Sequence, residues 1–252
     1  MNGSNLEEYW RNKMNTSKLT TGSKVCEFVN NNPDHVIQIL NELDIDFCCG
    51  GFKTLERACT EKGLNPELVL KKLCADTTEQ NHLVDWAQLS LSELVEHIVS
   101  LHHEYLNKTL PQLNGLMDKV IQAHEKNHPE LIELKKLVLA LKVDLEPHML
   151  KEERILFPMI KNMDASLESE TAMCSSVTGP IRVMMADHEN VGMLLEKIKM
   201  LTNGYTPPED ACETYKFLFK TLKEIESDTH LHVYKENNLL FPEALNQGTQ
   251  AI

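Results

Sequence analysis

The chain has 252 residues, 42% hydrophobic and 25% charged, with a formal net charge of −13. That charge excludes nucleic acid and anionic membrane surfaces as partners, and the absence of any run of about 18 apolar residues excludes a transmembrane helix. Seven cysteines form an odd set without framework spacing, and the N-terminus is polar, with no apolar signal core. Cytoplasm is the compartment these features predict.

In chain order, residues 1–20 read as a polar tail, with a short helix through Leu6, Tyr9 and Trp10 as the alternative. Residues 21–75 read as a small helical domain. A first helix spans Lys24–Asn30, and a second begins at Pro33 and carries Val36, Ile37, Leu40 and Leu43 on one stripe. The stripe breaks before Cys48-Cys49-Gly50-Gly51, which falls on a loop. A third helix, Thr54–Lys62, stops at Gly63, and a fourth runs from Asn65-Pro66 to Cys74. Adjacent cysteines rarely bond to each other because the ring is strained. Cys48 and Cys49 are then either two half-buried thiols under a loop or a reactive, metal-reaching pair.

Residues 76–89 form a polar linker, and residues 90–246 read as a second, larger helical domain. It opens on a capping box, Ser90-Leu-Ser-Glu93. Its first long helix carries Leu94, Ile98, His103, Leu106, Leu110, Leu113 and Met117, with a kink predicted at Pro111. The second starts at His128-Pro129 and should bend at Pro147. Residues 162–177 are expected as a loop. Thr178-Gly-Pro180 opens the third helix, and the turn from Asn203 to Pro208 leads into the fourth.

A motif repeats within this domain. His148, Lys151, Glu152, Leu156, Phe157 and Pro158 recur 84 positions later as His232, Lys235, Glu236, Leu240, Phe241 and Pro242. His and Glu four apart share one helix face. The inward seams read Leu141, Leu145, His148, Glu152, Ile155, Met159 and Leu218, Leu222, Ile225, Thr229, His232, Glu236, Leu239. His103 precedes His148 by 45 positions and His188 precedes His232 by 44. Each half is thus a helix hairpin, and two hairpins make an all-α, up-down four-helix bundle behind the small N-terminal domain.

Buried carboxylates need compensation, and a metal ion supplies it. His103, His148, Glu152, His188, His232 and Glu236 suit iron, manganese or zinc. They divide into two metals, each with two histidines, bridged by both glutamates. His97, His102, His124 and His230 are read as ordinary, satisfied histidines. The His-first spacing of four separates the motif from the Glu-x-x-His of ferritin-type di-iron proteins. His-Glu-x-x-His is missing, because Asn107 and Gly192 stand where the second histidine would be.

These residues give the bundle a resemblance to the hemerythrin-like domain. Joined to Cys48-Cys49-Gly50-Gly51, it resembles the repair of iron centres family of iron–sulfur cluster repair proteins over about residues 20–245. The resemblance implies a non-haem di-iron centre, usually oxo-bridged, with Glu152 and Glu236 bridging and Cys48 and Cys49 as the family's paired cysteines. It implies restoration of iron–sulfur clusters damaged by nitric oxide or peroxide, with damaged iron–sulfur proteins as partners; a homodimer is compatible with it. Nitric oxide or peroxide reduction at the same centre, with the thiols as reductant, is the enzymatic alternative, and oxygen or nitric oxide binding or sensing the third. Oxygen carriers resemble the chain less: Gly192 stands where they have a further histidine, and Asn237 where they have an aspartate. The lost imidazole leaves a more accessible iron position, favouring reactivity or iron release over oxygen storage.

Overall fold

The computed structural model describes residues 19–31, 33–75, 86–166 and 176–250. The predicted tail up to residue 18 and residues 76–85 of the predicted linker lie outside these residues. The regular elements among the described residues are helices, with one isolated bridge between Lys24 and Thr54. The chain forms two compact units, Met1–Leu83 and Val84–Ile252.

In the first unit, α1 (Val25–Asn31), α2 (Pro33–Glu42), α3 (Leu55–Glu61) and α4 (Pro66–Leu73) surround Phe28, Leu40, Phe47, Leu55 and Cys59, all buried. Two of the starts are capped as their sequences suggest: Thr54 accepts from the Arg57 amide, and Asn65 from those of Glu67 and Leu68. The Cys-Cys-Gly-Gly loop is stitched to the start of α1, where the Cys26 amide donates to the Gly51 carbonyl (2.9 Å) and the Val25 amide to that of Lys53 (3.0 Å).

In the second unit, α5 (Leu91–Ile98) starts at the Ser90–Glu93 capping box and passes through a π-helical turn, Val99–His103, into α6 (Glu104–His124). Next come α7 (Glu130–Lys151), a π turn (Glu152–Leu156) and α8 (Phe157–Ser166). Then α9 (Thr178–Leu201) stands alone, and α10 (Glu213–Lys235) leads through a π turn (Glu236–Leu240) into α11 (Phe241–Gln250). The helices run on through Pro111 and Pro147. Between α9 and α10, Asn203, Gly204 and Tyr205 all take positive φ, and the Gly204 amide closes the helix end on the Lys199 carbonyl.

The π turns change the inward register. A π turn adds a residue to the turn and rotates the helix beyond it. After Glu152 the buried positions are Leu156, Phe157, Ile160 and Met163, whereas Ile155, placed on the seam by strict helical spacing, is 55% exposed. After Glu236 it is Leu240 and Phe241 that are buried, and Leu239 only packs at the edge. The expected loop over 162–177 is also corrected, since the helix continues to Ser166 and buries Met163 in the core.

Among the described residues, two apolar clusters line the bundle interior. One gathers Leu106, Leu110, Met117, Leu141, Leu145, Leu195, Leu218 and Leu222. The other gathers Leu94, Ile98, Phe157, Ile160, Ile181, Met184 and Phe241. Along each long helix the predicted His and Glu positions fall between members of the two clusters, so a polar layer is interposed in an otherwise apolar core.

Leu141 is fully buried, and Leu139 on the same helix is 47% exposed. Leu141→Ala should lower the unfolding free energy by about 2–5 kcal/mol. Leu139→Ala should stay within about 0.5 kcal/mol of the parent. Denaturant melts of the two variants side by side check the contrast.

Candidate metal centre

The six residues singled out by the repeat converge. His103, His148, Glu152, His188, His232 and Glu236 are all buried and belong to the second unit. Two groups of candidate donors arise, His103 with Glu152, His232 and Glu236, and His148 with Glu152, His188 and Glu236. Within each group one donor atom per residue lies within 4.8 Å of the others. Both glutamates are common to both groups.

The imidazoles meet in pairs. Nε2 of His103 lies 3.1 Å from Nε2 of His232, and Nε2 of His188 lies 3.1 Å from Nε2 of His148. Each carboxylate divides its oxygens between the pairs. Glu152 sets Oε2 3.4 Å from His103 and Oε1 3.3 Å from His148. Glu236 sets Oε1 3.0 Å from His232 and Oε2 3.1 Å from His188.

Outer contacts fix which ring nitrogen faces inward. His103 Nδ1 donates to Glu153 Oε1 (2.8 Å), His188 Nδ1 to Asn237 Oδ1 (2.9 Å), and His148 Nδ1 lies 3.4 Å from Asp187 Oδ2. A neutral imidazole has one N–H, so donating it outward leaves the Nε2 lone pair aimed at the centre. Lone pairs facing each other at hydrogen-bond distance need something electrophilic between them. Neither oxygen of Glu152, nor Oε2 of Glu236, accepts a well-formed hydrogen bond. Orphaned carboxylate oxygens and inward lone pairs in a dry core are a donor set that fits non-haem iron or a similar ion.

Without an ion, protons share this space unequally. Burial opposes charge on His188, but the Glu236 carboxylate prevails and pushes it up to about 9. His103 also rises despite burial, held by Glu152. Burial and the neighbouring His188 bring His148 down to about 4, and burial lowers His232. Glu152 is pushed up to about 7 by burial and by Glu236. Glu236, equally buried, is held low by His232 and His188.

Sequence spacing missed the surroundings. Glu153 and Asp187 lie beside motif residues, but nothing in a periodic pattern says that they reach a ring nitrogen. The repeated lysines diverge: Lys151 pairs on the surface with Asp187 at 3.0 Å, while Lys235 is fully buried. Its Nζ donates to His97 Nε2 (2.9 Å) and His102 Nε2 (2.8 Å) and lies 4.5 Å from the Trp86 ring centre. His102 in turn donates from Nδ1 to Asp228 Oδ1 (2.8 Å) and stacks on His232 with ring centres 5.5 Å apart.

Cys48 and Cys49 lie apart from these residues in sequence, in the first unit, with their sulfurs 3.9 Å from each other. Cys48 is buried and Cys49 half-buried. No disulfide joins the described cysteines.

Comparison with known proteins agrees with this arrangement at the level of the family. Residues 94–244 match the hemerythrin HHE cation binding domain, and residues 21–77 match ScdA_N, a domain of unknown function (DUF542). The iron-sulfur cluster repair protein YtfE of Dickeya chrysanthemi (strain Ech1591) is 38% identical over 207 residues, 82% of this chain and 90% of that protein. YtfE of Escherichia coli O8 (strain IAI1) is 39% identical over the same shares. No helix among the described residues is long and apolar enough to cross a membrane. With both parts matched and the identity extending over most of its length, the chain belongs to the hemerythrin-like family of the YtfE iron–sulfur cluster repair proteins.

Proposed function

We propose that this protein repairs iron–sulfur clusters damaged by nitrosative or oxidative stress, using a di-iron centre held by His103, His148, Glu152, His188, His232 and Glu236. The observation that carries the reading is the division of each carboxylate: one oxygen goes to each histidine pair, which is what bridging two ions requires. Two non-haem irons, with an oxo bridge between them, would supply exchangeable and redox-active metal. The protein's own contribution is positional. Glu153, Asp187 and Asn237 hold three rings in the tautomer that turns Nε2 inward, and the flanking apolar clusters exclude water. An added Cβ at Gly192, one turn after His188, meets nothing within 4 Å.

The small unit, on the polar linker, is proposed to bring Cys48 and Cys49 to the client or to the iron, in a cytoplasmic setting where thiols stay reduced. Damaged iron–sulfur proteins are the proposed partners, and nitric oxide or peroxide the agents of damage.

Metal content and an optical spectrum test the centre. The protein as isolated should hold about two irons per chain, with near-ultraviolet oxo-to-iron absorption and a lower melting temperature after metal removal. One tight zinc and no iron would sink the reading. Recovery of a nitric-oxide-damaged iron–sulfur enzyme tests the function, and turnover of nitric oxide by the protein alone would favour a reductase instead.

Glu152→Ala and Glu236→Ala should each disturb binding of both irons, whereas His103→Ala should mainly weaken one. Equal loss in all three removes the case for bridging. Glu153→Gln and Asp187→Asn should weaken metal binding by about 10–100-fold while leaving the saturating stoichiometry unchanged, as read by competition with a chelator. Replacing both Cys48 and Cys49 with alanine should leave iron and spectrum intact and sharply reduce repair per bound iron.

A further inference from the structure

The two cysteines are chemically unequal, and Asp46 contributes to the inequality. Its Oδ1 accepts the amide of Cys48 (3.0 Å), the amide of Cys49 (3.0 Å) and the thiol of Cys48 (3.3 Å). One carboxylate oxygen thus gathers the backbone of both cysteines and one of their two sulfurs. The Cys48 thiol has a single proton, and Asp46 Oδ1 and Cys49 Sγ at 3.9 Å both lie within its reach. The carboxylate is the stronger and nearer acceptor. Cys48 is buried, whereas Cys49 is half-buried. Gly50 lets the carboxylate sit under the loop, because a Cβ there would lie 2.9 Å from Asp46 Oδ2.

We propose that Asp46 is a positioning residue that sets the order in which the thiols act. It holds Cys48 as a protonated, buried thiol, so that the more exposed Cys49 meets a thiophilic partner first, a borderline metal ion such as iron. This rests on the proposed function, in which the cysteine pair takes part in repair. Ionising Cys48 would place a thiolate against a carboxylate and away from water, two costs with the same sign. Consistently, its thiol is raised well above the ordinary range by the hydrogen bond with Cys49, by burial, and by the charges of Cys49 and, after it, Asp46. Cys48 is then the second thiol, able to join only once the loop opens or Asp46 swings away.

The test is alkylation of the full-length, iron-loaded protein with iodoacetamide between about pH 6.5 and 9.5, with each adduct placed by fragment mass. Cys49 should be labelled at least about tenfold faster than Cys48 near neutral pH, and Cys48 labelling should still be climbing at a pH where Cys49 has levelled. Asp46→Asn keeps an oxygen for both amides and removes the charge. The labelling ratio should fall toward one, while hydrogen exchange at the two amides stays slow. Equal labelling of the two cysteines in the parent protein overturns the assignment, as does an unchanged ratio and pH profile in Asp46→Asn. Should the variant loosen the loop, seen as faster exchange at both amides, the parent protein's two pH profiles decide alone: separate profiles support the order, and a shared one overturns it. The repair assay on the double cysteine variant reports on the proposed function separately, since labelling order does not depend on whether the thiols serve repair.

Discussion

Two buried carboxylates facing four imidazoles are the constraint on which the rest of the second unit depends. Glu152 and Glu236 have no exposed surface, and desolvation of an ionised carboxylate costs several kcal/mol unless something compensates it. Hydrogen bonding does not, because both oxygens of Glu152 and one of Glu236 are left without a donor. The neighbouring rings have turned their protons outward to Glu153 and Asn237. An ion in the layer would supply the compensation that these orphaned oxygens lack. The same bundle with leucine at six positions would be the ordinary solution to packing four helices, so the departure from it calls for a chemical cause.

The π turns are the mechanical counterpart of that chemistry. They occur at His103, Glu152 and Glu236, on three of the four long helices, and α9 with His188 is the regular one. A strict α-helical seam would carry a His and a Glu inward at four-residue spacing and then keep the same stripe. The inserted residue rotates the helix after the glutamate, so Leu156 and Leu240 replace Ile155 and Leu239 at the second apolar cluster. The distortion falls at the functional residues themselves, where the cost of an irregular turn is offset by placing donor atoms.

Much of this is legible in the sequence, for a definite reason. A repeat with polar residues on an apolar seam is a contradiction that a bare sequence can display. It yields the bundle, the six positions and the pairing of helices into hairpins. The register after Glu152 is not legible, since π turns leave no signature in an alternation of threes and fours. Proline draws attention to residue 147, but the irregular turn starts at Glu152. The outer partners are hidden for a different reason. Asp187 and Glu153 are polar residues beside the motif, and only the rotation of their helices tells them from solvated neighbours. Lys151 and Lys235 occupy equivalent positions in the repeat, yet one lies at the surface and the other is fully buried among His97, His102 and Trp86.

The placement of the polar layer bears on whether an ion can leave. In small metal-dependent folds the metal is most of the core, and losing it unfolds the chain. Here an apolar cluster lies on each side of the layer, and the larger one, from Leu106 to Ile225, is complete without any member of the six. Loss of ions would remove no member of either cluster, since none of the six belongs to them. It would leave the two carboxylates to be balanced by protons, which the raised His103 and His188 are placed to accept. The packing of the second unit is thus carried by apolar clusters to which none of the six belongs, and the polar layer adds its chemistry to a core built from other residues.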